Sequence, residues 1–478
     1  MRAFLIPLVG LLLSHAWLLN GLCSESPNII LILADDQGWT GSSLAMDGNR
    51  PDSKSDLYRT PHLERLASEG MRFSNGYAPA PNCSPTRMSI QTGKTAARLG
   101  ATDIIDIVPR PGGRPFFYNE YYVNKPLNLP LPVSELSTEE MTIPELIKSV
   151  RPEYRAAHFG KWHMGGASTA DFGFDESSGL TSNREGRLGN PDPKRTGEVT
   201  AQAVDFIRRQ AQADTPFFLQ VSYYAVHLPT LFRGETLSGY DGASSRRHIN
   251  KAYAAMTEEL DQGLGSILEA LDTLELAEDT YVIYTSDNGA ELTEGANTDN
   301  VPLARGKTHV WEGGIRVPLV IRGPGIEPNT QSDVPAIAYD FLPTIAEWVG
   351  AVESLPEDID GGSLAQVLDQ GGRGEVQRGT EALIWYYGAY RNHKHVVPTA
   401  AIRKGAHKLI WDLESDQTKL FDLSIDLSET TDLARVRPEI ASELESELKG
   451  YFAAVGLEMP TRNLDYDPAT DPGLNTRF

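Results

Sequence analysis

The sequence predicts an α/β protein: a mostly parallel central sheet flanked by helices, then a smaller C-terminal domain of antiparallel sheet with one helix. Three observations predict it. Short apolar runs rich in β-branched residues, first among them Asn28–Ala34 (NIILILA), show no polar alternation, as strands buried on both faces of a parallel sheet require. Strand-like and helix-like segments alternate along most of the chain. From about Gly371 the texture shifts to short, closely spaced strand candidates, the pattern of hairpins.

The first strand candidate ends abruptly in Asp35-Asp36-Gln37-Gly38. Pro61 to Gly70 (PHLERLASEG) predicts a short helix closed by glycine, and Thr142 to Val150 another, with Pro144 in the first turn, where no N–H is needed. Tyr154 to Phe159 predicts a short strand. Further strands are expected at Pro216 to Ser222, Thr280 to Thr285 and Val317 to Ile321, with a helix across Lys251 to Leu271. In the last part Ala382 to Tyr387, Ala400 to Arg403, His407 to Asp412 and Lys419 to Asp422 predict the antiparallel sheet, and Pro438 to Phe452 the late helix. No repeat, low-complexity tract or Gly/Ser linker separates the two units, so they are expected to pack together, with a main domain over 25–370 and a second over 371–478. The loops Trp39 to Tyr58, Arg110 to Val133 and Gly165 to Arg195 are long and rich in Gly, Pro and charge; such loops on an α/β scaffold carry specificity.

At 478 residues, 40% hydrophobic and 23% charged, the chain lies in the globular range, which excludes a disordered, collagen-like or multi-spanning protein. With 43 basic against 65 acidic residues the formal charge is -22, which argues against nucleic acid as a partner. Residues 1–24 read as a signal peptide: Arg2, an apolar run from Ala3 to Leu13 broken by Ser14 and His15, then small polar residues. The run is short for a membrane span, so export to the periplasm or medium is expected without stable membrane insertion, and Leu22 before Cys23 fits lipoprotein processing poorly. Removal of Cys23 leaves Cys83 alone, so no intrachain disulfide can form. That thiol is either a buried small hydrophobe or one kept for chemistry.

The strand candidates run out into polar residues at their carboxyl ends, where open α/β sheets place ligands. They deliver Asp35-Asp36, then Lys161 and His163 (HFGKWHMG), His227 (SYYAVHLP) and Asp287-Asn288. Each alone is ordinary as a helix cap or solvated loop residue; four such coincidences point to one site. Asp35, Asp36, Asp287 and Asn288 offer hard oxygen donors without a thiolate cluster, which suits Ca²⁺ or Mg²⁺ better than Zn²⁺. Lys161, His163, His227, Lys307 and His309 supply cationic or protonatable groups for a tetrahedral oxyanion.

Pro81 to Lys94 (PNCSPTRMSIQTGK) closely resembles the signature of the formylglycine-dependent sulfatases, Cys-x-Pro-Ser-Arg followed after four residues by Thr-Gly; Thr86 stands where Ser is commoner and keeps the hydroxyl. LILADDQG, GKWHMG, DFGFD, SYYAVHLP, YTSDNGAE and RGKTHVWEGGIRVP are similar to sulfatase blocks in the family's order, and FDLSIDLSETTDLA to its C-terminal strand. The resemblance covers nearly all of the chain after the signal segment. It implies an alkaline-phosphatase-like core as catalytic domain, with Cys83 oxidised to formylglycine (3-oxoalanine) by a maturation enzyme. It implies that Asp35, Asp36, Asp287, Asn288 and the modified Cys83 hold Ca²⁺, favoured over Mg²⁺. By the same resemblance Arg87 steadies the hydrated aldehyde, Lys161 and Lys307 grip sulfate, His163 helps deprotonate the hydrate and His227 protonates the leaving alcohol. Lys94 is expected to tie the motif's helix to its surroundings.

The expected reaction is hydrolysis of sulfate esters, on oligosaccharides of a sulfated polysaccharide. Phosphomonoester or phosphodiester hydrolysis on the same architecture, and glycan binding with an unmatured Cys83, are the alternatives. His309 reads as a substrate contact or an idle loop histidine, and His393 and His395 as sugar contacts or a solvated loop. Arg110 and Arg114 read as anion contacts or surface charge, and Phe116, Phe117, Tyr118, Tyr121 and Tyr122 as sugar-stacking or loop-pinning aromatics.

Overall fold

The computed structural model describes residues 26–105, 122–187, 189, 191–292, 299–391 and 396–471. Residues 1–24, expected as a signal peptide, and Arg110, Arg114, Phe116, Phe117, Tyr118, Tyr121, His393 and His395 lie outside these.

Asn28–Ala34 forms the first strand, β1, buried at every position. Its two faces explain its lack of polar alternation. Ile29, Leu31 and Leu33 enter one apolar cluster, while Ile30, Ile32 and Ala34 enter another on the opposite side of the sheet. The remaining strands of this sheet are β2 (Met71–Phe73), β3 (Arg155–Gly160), β4 (Glu176–Ser177), β5 (Phe217–Ser222), β6 (Thr280–Ser286), β7 (Leu319–Arg322) and β8 (Thr330–Ser332). Among the described residues they stand in the order β8-β2-β7-β6-β1-β5-β3-β4. The run from β6 to β4 is parallel throughout, and β7 lies antiparallel to both its neighbours. The strand expected from Val317 begins at Leu319, past Pro318, whose missing N–H cannot join a ladder.

Helices cover both faces. Thr196–Ala213 and Lys251–Thr273 pack on one through Val199, Ala203, Phe206, Ile207, Leu260, Leu264 and Leu268. Cys83–Thr92, Ile143–Val150 and Phe341–Val349 pack on the other through Met88, Ile90, Leu146, Ile147, Phe341 and Ile345. The helix over Thr196–Ala213 was not anticipated. Its inward residues have helical spacing, but Thr196, Thr200 and several glutamines dilute the apolar stripe.

The C-terminal part is a four-stranded antiparallel meander, β9 (Leu383–Tyr387), β10 (Thr399–Lys404), β11 (His407–Asp412) and β12 (Gln417–Asp422), with a helix over Pro438–Ala454. Ile384, Tyr386, Ile402, Leu409 and Leu420 face that helix through Leu444, Leu448 and Phe452. Leu383, Trp385, Ala401, Ile410 and Phe421 turn the other way and pack on Tyr77, Ile315, Ile337 and Tyr339 of the first unit. A buried ionic group closes this junction. Lys408 Nζ lies 2.9 Å from Glu312 and 2.8 Å from Glu429, Arg316 Nε donates to Glu312 at 2.7 Å, and Tyr77 Oη donates to Glu312 at 2.8 Å.

Candidate active site

The parallel strands end level with one another. Register pairs Ala34 with Ser286, Leu33 with Ser222 and Gly160 with Ser222, so the residues just past four adjacent strands converge at one sheet edge. β1 delivers Asp35 and Asp36, β6 Asp287 and Asn288, β3 Lys161 and His163, and β5 His227 through a short loop. Gly160 is required at its turn: φ is +99° and a Cβ would sit 1.9 Å from the Ser222 carbonyl oxygen. Asp36 and His163 adopt φ of 62° and 56°, left-handed conformations uncommon for such residues and concentrated at functional sites.

The helix over Cys83–Thr92 points its N-terminus at this edge. Cys83 is its first residue and Arg87 stands one turn on, on the same face. The Thr86 hydroxyl donates to the Ala80 carbonyl at 3.0 Å and accepts from the Ala80 N–H at 3.2 Å, clamping the turn ahead of Cys83. This is the hydroxyl that the Thr-for-Ser departure preserves. Gly93, with φ of 68°, closes the helix, and its N–H donates to Ser89.

Three buried carboxylates face three cations, of which Arg87 and Lys161 are buried and Lys307 nearly so. Arg87 donates to Asp287 Oδ2 from Nε at 3.0 Å and Nη2 at 2.7 Å, Lys161 donates to Asp35 at 2.7 Å, and Lys307 to Asp36 at 2.6 and 2.8 Å. Cys83 Sγ lies 3.6 Å from Asp35 Oδ1 and 3.6 Å from Lys307 Nζ. His227 Nδ1 donates to the Leu228 carbonyl at 2.5 Å, so Nε2 is the nitrogen turned toward Asp36, at 3.8 Å.

The electrostatics follow from burial and pairing. Burial, then Asp287, pushes the Asp35 carboxyl up to about 7 in spite of Lys161. Burial also opposes the charge on Asp36, but Lys307, His227 and Lys161 outweigh it and hold that carboxyl well below the usual range. Burial and the Asp287 charge hold the Cys83 thiol well above its ordinary value, so the unmodified side chain is no thiolate nucleophile. Burial, then Lys307, holds His227 well below the usual imidazole range.

One ligand atom each from Asp35, Asp36, Cys83 and Asp287 lie within 4.8 Å of one another. Asn288 is fully buried; its Nδ2 donates to Asp36 at 2.8 Å, while its Oδ1 has no hydrogen-bond partner among the described residues. Three carboxylates and an orphaned amide oxygen form a hard donor set, which fits a divalent cation of the Ca²⁺ or Mg²⁺ type.

The structure brings together Asp35, Asp36, Cys83, Arg87, Lys161, His227, Asp287, Asn288 and Lys307, with buried His163 beside Lys161 on the same turn. His309 is half-buried and lines a cleft of about 180 Å³ with Arg305, Trp311 and Lys419 of the antiparallel sheet. Lys94 binds Asp358 at 2.6 Å and Glu140 at 2.7 Å, a tie to its surroundings as expected. One side chain that the sequence reading passed over joins the group: Lys194 is 2% exposed, and among charged groups Asp35 and Asp36 act on its ammonium most strongly.

Comparison with known proteins agrees with this geometry. The sulfatase family model matches residues 27–351, and a model described as N-sulphoglucosamine sulphohydrolase, C-terminal, matches residues 305–453. A sulfatase of Formosa agariphila is 28% identical over 90% of this chain and 89% of its own length. The N-acetylgalactosamine-6-sulfatase of Canis lupus familiaris is 30% identical over 73% of this chain and 67% of its own. The fold is similar to that of Ps i-CgsB, solved in complex with k-i-k-neocarrahexaose, with a TM-score of 0.72 at 23% identity over 95% of this chain and 97% of that one. On the family match across its core, the chain belongs to the sulfatase family of the alkaline-phosphatase superfamily and is a sulfuric ester hydrolase.

Proposed function

We propose that this protein is exported and removes sulfate from sulfated carbohydrate, using formylglycine made from Cys83 and a bound Ca²⁺. The observation that carries the reading is the ring of buried carboxylates and cations closed around Cys83, with the orphaned Asn288 Oδ1 beside it. The raised thiol supports it further, since Cys83 as a thiol is a poor nucleophile in this setting. The relatives' printed names, an N-acetylgalactosamine-6-sulfatase and a protein complexed with neocarrahexaose, favour a carbohydrate. The signal-like residues 1–24 favour export. Among the described residues no helix is long and apolar enough to cross a membrane.

When present, the aldehyde hydrate supplies one hydroxyl to attack sulfur and a second to expel sulfate afterward, while Ca²⁺ neutralises negative charge. The chain's own residues do the rest. Asp35, Asp36, Asp287 and Asn288 would hold the ion, and Lys161 and Lys307, now paired with Asp35 and Asp36, would bind the sulfate oxygens. Arg87 fixes Asp287 and places its guanidinium beside position 83. The fixed Nδ1 of His227 leaves Nε2 to carry the proton to the departing alcohol oxygen, and the sulfate's negative charge offsets the Lys307 field that disfavours imidazolium. His163, held in a left-handed turn, takes a proton from the hydrate. A maturation enzyme acting on Cys83 is the implied partner.

The test is release of sulfate, compared with phosphate, from matched aryl esters and a sulfated oligosaccharide, with protein from a maturation-competent host. Sulfate release from both sulfate esters, lost on chelation and restored by Ca²⁺, is expected. Faster release of phosphate than of sulfate would overturn the reading.

A further inference from the structure

The three carboxylates at the site are matched by Arg87, Lys161 and Lys307, each within hydrogen-bond distance of one of them. Lys194 is a fourth, surplus cation. Its side chain is 2% exposed, and among the described residues no hydrogen bond or ion pair reaches its ammonium. A buried ammonium without a partner is costly, and natural chains rarely keep one unless something else completes it.

The backbone holds Lys194 in place. Asp192 accepts from the N–H groups of Gly197 at 2.9 Å and Glu198 at 2.8 Å, pinning the turn to the N-terminus of the helix over Thr196–Ala213. On the other side Arg195 pairs with Glu198 through Nε at 2.8 Å. Between these anchors Lys194 and Arg195 both adopt left-handed φ, 59° and 52°, and Lys194 is buried while Arg195 is half-buried. The turn packs on Glu185–Arg187, whose Gly186 lies against the Tyr224 ring, and the Tyr224 carbonyl accepts from the His227 N–H at 3.1 Å, which sets Lys194 beside the loop that carries His227; Asp35 and Asp36 are the carboxylates whose charge it feels. Burial lowers it only to about 8, which leaves it mostly protonated near neutral pH.

We propose that Lys194 is a substrate-binding residue whose unpaired ammonium takes an anionic oxygen of the sulfated substrate. The inference rests on the sulfatase reading and names a contact within that same site. The oxygen belongs either to the sulfate being transferred or to a second acidic group on the same sugar.

The test compares matured wild type with Lys194→Met and Lys194→Arg on an aryl monosulfate and on a disulfated sugar. For Lys194→Met we expect KM to rise about tenfold or more, as loss of a charge-assisted hydrogen bond implies, with kcat changed far less. Lys194→Arg should recover much of the loss. An effect on both substrates assigns the contact to the transferred sulfate; an effect on the disulfated sugar alone assigns it to the second group. Thermal melting separates binding from structure. Removal of an unpaired buried charge should leave the Tm unchanged or raised, and inorganic sulfate should stabilise wild type more than Lys194→Met. An unchanged KM on both substrates, or a lowered Tm with binding intact, would overturn the proposal. Failure of wild type itself to release sulfate would instead strike at the sulfatase reading.

Discussion

Two buried ionic clusters sit in this chain, and they differ in completeness. At the junction between the units, Glu312, Glu429, Lys408, Arg316 and Tyr77 satisfy one another: Lys408 bridges both glutamates, and Tyr77 Oη donates to Glu312 while accepting from Arg316 at 2.8 Å. Arg403 adds a further donor to Tyr77. At the sheet edge the charges also pair, but among the described residues Asn288 Oδ1 and the Lys194 ammonium have no partner. Left-handed backbone occurs in both clusters, at Asp36, His163 and Lys194 here and at Glu429 there. Burial of charge is common to both. Unfinished satisfaction, not backbone strain, marks the one that fits a ligand.

Predictions that would break or sharpen this contrast run from large to small. Cys83→Ala should lower turnover by about 10⁴-fold or more with the fold retained, read as sulfate release alongside circular dichroism. Turnover within tenfold of wild type would remove the nucleophile from the account. Lys408→Met leaves buried Glu429 without its cation, while Glu312 keeps Arg316, and should cost about 3–5 kcal/mol in denaturant unfolding, with kcat of the folded protein within about twofold. A variant as stable as wild type would show that the junction does not depend on this lock. Ca²⁺ at about one hundred times its Kd should stabilise the matured protein by about 2.7 kcal/mol, and Asn288→Ala should abolish most of that gain. An equal gain in the variant would free the amide oxygen of a ligand role.

Tyr77→Phe removes a hydroxyl shared by Glu312 and Arg316 and should destabilise by about 1–3 kcal/mol without changing KM. Lys94→Met should cost at most about 1 kcal/mol and leave kcat alone, since its partners Asp358 and Glu140 are partly exposed. A large kcat loss there would move Lys94 into the chemistry.

The strands were legible because burial on both faces leaves a compositional trace: NIILILA and TYVIYT coincide with β1 and β6 almost residue for residue. The site was legible for a related reason, since Asp35, Asp36, Asp287, Asn288, Lys161 and His227 follow strand ends, where the topology itself gathers them. The helix over Thr196–Ala213 was lost because polar residues interrupt its apolar stripe. Lys194 was beyond reach for a different reason. It lies at the end of the long polar loop Gly165 to Arg195, where the sequence carries no period to mark an inward side chain, and it is buried on a turn in which Lys194 and Arg195 are both left-handed.

The central claim is that Cys83 is not used as a thiol. The intact mass of the Cys83 peptide, from protein that demonstrably releases sulfate, tests it most directly. The account predicts a mass about 18 Da below that of the unmodified cysteine peptide, as an aldehyde in place of the thiol requires. A sulfate-releasing preparation whose Cys83 peptide carries the full cysteine mass would contradict it.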